Sequence, residues 1–187
     1  MLAGSSEVEW LIPGVIHRGA KGLIVGQPKA GKSMIALDLA IALSTGQSWL
    51  GITATRPYRT SVVSREDGPG KTTNRLQQFA LGRELNLFNI PLLHVNIFEQ
   101  KASFSIESDE DLEELCGATK KDTIELCIFD VLNKLHAADE NDNTKMTAVM
   151  NRFDLIRVRT GADVVVIHHD AKNPGPGAKK PRGANSN

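Results

Sequence analysis

The order of apolar runs along the chain predicts an α/β fold: a mostly parallel, twisted sheet with helices on both faces. Three observations carry this. Short apolar runs, too brief for helices, recur between longer segments of helical character. The run Val164-Val165-Val166-Ile167 is continuous rather than alternating, as in a strand buried on both faces. The segment from Lys32 to Thr45 is apolar on most of its circumference, so it belongs against a sheet and not at the surface.

Taken in order, Val8–Ile12 is a short apolar run stopped by the turn pair Pro13-Gly14. Ala20–Val25 reads as a buried strand that ends in a glycine-bearing loop. The helix Lys32–Thr45 follows, with Gly46 placed to stop it. Thr60–Arg65 is a second strand, followed by the loop Asp67-Gly68-Pro69-Gly70 and a helix to about Leu81. Leu92–Ile97 is a third strand. Ser108 has the character of an N-cap, with acids in the first turn of a helix that runs to about Lys121. Ile124–Asp130 is a fourth strand. A helix from about Thr144 to Arg159 ends at Gly161, and Asp163–His168 is the fifth strand. From Asp170 onward Pro, Gly, Lys and Ala dominate, so residues 171–187 read as a basic loop or tail on a single domain covering 1–187, with a core at about 10–170.

Composition narrows the function. The chain has 187 residues, enough to bury a core without disulfides or metals. Lysine plus arginine number 22 and aspartate plus glutamate 22, so no global field draws the protein to nucleic acid. The charge is uneven: Glu107, Asp109, Glu110, Asp111, Glu113 and Glu114 crowd one segment, which reads as a solvated helix face, as do Arg152, Arg157 and Arg159. No apolar run is long enough to span a bilayer, and the N-terminus lacks a signal-peptide pattern. Two cysteines, Cys116 and Cys127, form no disulfide framework and no zinc spacing, so the expected compartment is the cytoplasm.

The chemistry-bearing motif is Gly26-Gln27-Pro28-Lys29-Ala30-Gly31-Lys32-Ser33, which matches G-x-x-x-x-G-K-[ST] between a strand and a helix. Gly26 and Gly31 let the backbone curl, so that successive N–H groups through Met34 form an anion nest at a helix N-terminus. Lys32 places an ammonium on the β- and γ-phosphates, and the Ser33 hydroxyl is a ligand for Mg²⁺. Leu126-Cys127-Ile128-Phe129-Asp130 is an apolar strand ending in a carboxylate, the expected second holder of Mg²⁺. GTPases and small-molecule kinases set this strand beside the P-loop strand. The other large division of P-loop proteins places a further strand between them and adds a catalytic glutamate. Here Glu66, just past a strand's C-terminal edge, is the candidate for polarising the attacking water, against the alternative of an exposed loop acid. Asn133-Lys134-Leu135-His136 has a histidine where a guanine-reading motif needs aspartate, and is set aside.

The fifth strand leads into His168-His169-Asp170. Adjacent residues point to opposite sides of a strand, poor geometry for two ligands on one metal. One imidazole beside the γ-phosphate suits a polar sensor; a structural pair is the alternative.

The segments Gly26–Ser33, Ser64–Asp67, Leu126–Asp130 and Val164–Asp170 resemble the RecA-like P-loop ATPases. Within these the chain resembles plasmid RepA-type hexameric replicative helicases and related AAA-family ATPases. Phe129-Asp130-Val131-Leu132, then Asp139-Glu140-Asn141 and His168-His169, carry the closer likeness. The resemblance implies ATP and Mg²⁺ as cofactors and the strand ending at His168-His169 lying between the P-loop and Asp130 strands. It makes His169 the γ-phosphate sensor. It also implies a DNA-contacting loop at Asp170–Arg182, single-stranded DNA as a partner and a hexamer when full length. Relatives continue with further C-terminal strands, one bearing a trans-acting cation, and the chain is expected to lack them. The catalytic set is then Lys32, Glu66, Asp130 and His169. Competing functions are a nucleotide-gated switch or loader acting on a protein partner, and a small-molecule kinase, for which no arginine-bearing lid is found. Gln27 replaces the second P-loop lysine of partition-type switches.

Overall fold

The computed structural model describes residues 8–65, 69–96 and 104–169. Five strands form one fully parallel sheet: β3 (Lys21–Gly26), β6 (Thr60–Ser64), β7 (Leu93–Asn96), β8 (Leu126–Asp130) and β9 (Asp163–His169). Their spatial order is β3-β9-β8-β6-β7, so β9 lies between the P-loop strand and the strand that ends in Asp130. That intervening strand is the arrangement expected from the RecA-like resemblance. The paired residues Val25↔His168, Gly26↔His169 and Ser64↔Asp130 align the C-terminal ends of four strands along one edge.

Four helices cover the sheet. Helices α1 (Lys32–Thr45) and α2 (Pro69–Gly82) lie on one face, α3 (Asp109–Lys121) and α4 (Asn143–Thr160) on the other. The two cores follow from strand alternation. Val62, Ile128, Val165 and Ile167 pack with Leu37, Ile41 and Leu76 on the α1 side. Val63, Phe129, Val164 and Val166 pack with Leu112, Leu115, Phe153 and Ile156 on the other. Helix α1 is buried over most of its length, as its apolar circumference requires. Ser108 caps α3 by accepting from the Asp111 amide at 3.3 Å.

Some details depart from the sequence reading. Helix α2 begins at Pro69, a residue assigned to the preceding loop; proline's fixed φ and missing N–H suit a helix's first turn. Two small antiparallel hairpins were not foreseen as pairs: β1 (Trp10–Ile12) with β2 (Ile16–His17), and β4 (Ser48–Trp49) with β5 (Ile52–Thr53). The second turns on Leu50 (φ 49) and Gly51 (φ 83), both left-handed, a turn that Leu-Gly signals less clearly than Asn-Gly. The charged faces also differ from expectation. Asp109 pairs with Arg152 at 2.7 Å, Glu113 pairs with Arg159, and Asp111 is buried, accepting from the Ser105 amide at 2.8 Å. Asp109 and Glu113 thus clasp α3 to α4, and Asp111 ties α3 to the segment before it, so the run is not simply a solvated face. Arg157 likewise bonds Asp154 and the Gly19 carbonyl.

At the opposite edge of the sheet, buried Asp163 accepts from the Gly19 amide at 2.6 Å and from Arg18 at 3.1 Å. Burial pushes its carboxyl above the ordinary range against these donors. No helix among the described residues is long and apolar enough to cross a membrane.

Two predictions follow from the core. Phe153 is fully buried and meets Phe129 edge-on at 5.0 Å between ring centroids. Phe153→Ala should lower unfolding free energy by about 3–5 kcal/mol, read from the urea midpoint at unchanged m-value. Burial pushes the Cys127 thiol up to about 12, and Cys116 is raised for the same reason. A thiol reagent at pH 8 should therefore label neither cysteine in the folded protein and both in denaturant. Rapid labelling of the native chain would contradict this packing.

Candidate nucleotide site

The site is built where four strand ends meet the N-terminus of α1. By alternation Ile24, Ile128, Ile167 and Val62 face α1, so the residues two further along each strand do too. This places Gly26, Asp130, His169 and Ser64 all on the α1 side of the sheet edge, Gly26 paired with His169 and Ser64 with Asp130. His168 falls on the other face, where its Nδ1 is buried without a hydrogen-bond partner among the described residues. The adjacent pair is therefore split, as the strand period demands.

Between β3 and α1 the chain curls. Lys29 (φ 66) and Gly31 (φ 84) are both left-handed, and the Ala30 amide donates to the Gln27 carbonyl at 3.2 Å. Gly31 occupies the N-cap position of α1 and offers no side-chain acceptor, and α1 has no acid in its first turn. Helix α4 is treated differently: Asp142 accepts from the amides of Thr144 and Lys145. The first backbone bond of α1 is Ile35 N–H to Gly31 C=O at 3.0 Å, so the amides of Lys32, Ser33 and Met34 precede the helical ladder. A helix start with an uncapped turn of donors is suited to an anion.

Lys32 is 6% exposed, and its ammonium donates to the carbonyls of Gly26 and Gln27, each at 2.8 Å. Ser33 Oγ donates to Asp130 Oδ1 at 3.0 Å across 97 residues of sequence. Asp130 is 4% exposed. A buried carboxylate touching the hydroxyl that follows the P-loop lysine is the donor set expected around a hard cation such as Mg²⁺. The residues present thus fit both a phosphate chain and its metal.

Lys29, Lys32, Ser33, Met34 and His169 line one cleft of about 250 Å³, and Arg75 from α2 completes it. Arg75 was not singled out from the sequence. Its spacing from Glu66 is unremarkable, and only the packing of α2 on α1 brings it to the cleft. Thr72, on the same helix, carries no local signal either. A larger hollow of about 490 Å³ lies at the far end of α2, against Leu81, Leu85 and Phe88. It has no cation and no backbone nest, so its size does not make it the phosphate site.

Glu66 lies outside the described residues, as does the segment from Asp170 to Arg182. Arg65, directly before Glu66, donates its amide to the Asp130 carbonyl at 2.8 Å and its guanidinium to the Phe104 carbonyl. The set-aside motif at Asn133–His136 belongs to a 3₁₀ turn (Leu132–Lys134) and a buried His136 side chain, 3.9 Å from Glu140.

A parallel sheet with an extra strand between the P-loop and the acidic strand, carrying this cradle at its C-terminal edge, defines a RecA-like P-loop ATPase fold. The profile of the AAA domain family matches residues 2–175, and the chain belongs to that family. Membership marks it as an AAA ATPase domain that binds nucleotide.

The cradle generates its own prediction. Lys32→Ala should abolish Mg·ATP binding in calorimetry while circular dichroism stays unchanged, because Lys32 bonds only its own loop among the contacts above.

Proposed function

We propose that this chain hydrolyses ATP as a DNA-associated motor domain of the RepA-type replicative helicase kind. The observation that carries the hydrolytic part is the Ser33–Asp130 contact at 3.0 Å, which joins the two halves of a phosphate-and-metal site at one sheet edge. The DNA-associated part rests on the resemblance of the His168-His169 strand and the basic segment that follows it.

In this reading the Gly26–Met34 amides receive the phosphate oxygens, and the Lys32 ammonium leaves its two loop carbonyls for the β- and γ-phosphates. Ser33 and Asp130 hold Mg²⁺, which when bound offsets the charge that develops on the phosphate oxygens. Glu66 accepts the proton of the attacking water, with in-line attack left to positioning. His169 donates to the γ-phosphate side of the cleft and feels its departure. It is the last residue of β9 and lines the cleft, and the segment Asp170–Arg182 follows it in the sequence. Its Lys172, Lys179, Lys180 and Arg182 suit DNA phosphates, while the lack of aromatics for base stacking counts against tight single-strand binding. A ring of six copies is the assembly this reading expects.

Two measurements test it. Glu66→Gln should leave Mg·ATP bound and reduce turnover by at least about 100-fold, the scale of a lost general base; normal turnover would refute the assignment. Turnover by the unaltered chain should rise with single-stranded DNA, more steeply at low salt, in the same sample whose mass is read by light scattering. Hydrolysis by a monomer that ignores DNA would favour a nucleotide-gated switch or loader over the motor.

A further inference from the structure

Two hydroxyls beside the cleft have no part in the scheme above. Ser64 ends β6 and is paired in register with Asp130. It faces α1 and is 2% exposed. Thr72 sits in the first turns of α2, is 3% exposed, and donates its Oγ1 hydrogen to Ser64 Oγ at 3.3 Å. Both are buried, so an apolar residue of similar size in either place would be desolvated at less cost. Burying two hydroxyls against each other there contributes little to stability beyond what an apolar pair would give. What the pair does supply is a directional tie between α2 and the strand next to Asp130.

Arg75 is three residues beyond Thr72, on the same side of α2. It reaches the cleft opposite Lys29 and Lys32. We infer that Thr72, through its bond to Ser64, is a positioning residue that sets Arg75 against the bound triphosphate. This rests on the nucleotide reading of the site and adds a specific part to it. Without the Thr72 hydroxyl, α2 still packs through Leu76 and Ala80, but its first turns lose their polar tie to the sheet edge. The guanidinium then samples positions away from the phosphates, and binding weakens while the hydrolytic groups on β8 and α1 stay in place.

The test is steady-state ATP hydrolysis with thermal unfolding measured in parallel. Thr72→Val should raise KM for Mg·ATP about five- to tenfold, the scale of one hydrogen bond, with kcat within about twofold. Thr72→Ser, which restores a hydroxyl, should return KM to the unaltered value. Arg75→Ala should raise KM by itself, and adding it to Thr72→Val should cost less than it does alone, because both act through one contact. An unchanged KM in Thr72→Val overturns the inference. So do independent, multiplicative effects of the two substitutions, or a KM loss that Thr72→Ser does not rescue. Should Thr72→Val fail to fold, Ser64→Ala removes the acceptor from the other side and carries the same KM expectation, with the same outcomes against it. Absence of Mg·ATP binding by the unaltered chain in calorimetry overturns the nucleotide reading itself, and this inference with it.

Discussion

The hydroxyl of Ser33 resting on the carboxylate of Asp130 is the contact on which the site depends. It can form only if the start of α1 and the end of β8 reach the same height on the same side of the sheet. Here β9 lies between β3 and β8, so the carboxylate reaches the P-loop serine from one strand further along the sheet. The end of that intervening strand brings His169 to the same cleft.

The rest of the fold holds that geometry still. Core packing on both faces fixes the height of each strand. Arg18 and the Gly19 amide pin Asp163 at the base of β9, and Lys21 pins Asp154 at 2.5 Å from the base of β3. The Lys21 ammonium beside Asp154 holds that carboxyl below the usual range. Both ties lie at the end of the sheet away from the cradle, and they steady the strands that carry its polar groups.

Much of this was legible in the sequence because the relevant signals are local. The five strands are apolar runs punctuated by glycine and polar residues, and the P-loop is a contiguous pattern whose meaning survives without tertiary knowledge. The split of His168 from His169 follows from a period of two. Other features depend on which helix face meets which strand, and no local pattern encodes that. Arg75 and Thr72 look ordinary one by one; only the docking of α2 brings Arg75 to the cleft and Thr72 to Ser64. Arg152, Arg157 and Arg159 match a solvated helix face by composition, yet their partners lie on α3 and at Gly19, more than 40 residues away in sequence. The Leu50-Gly51 turn was missed because leucine carries no left-handed preference; strand pairing holds it there.

Lys32 presents a final consequence. Its ammonium already donates twice to the loop that carries it, so an incoming phosphate must compete with two carbonyls of the host chain. Affinity is then a difference between two good coordination states and not the full strength of the new one. The same exchange runs backward when the anion departs: the lysine returns to its own backbone, and the cradle empties without stranding a buried charge.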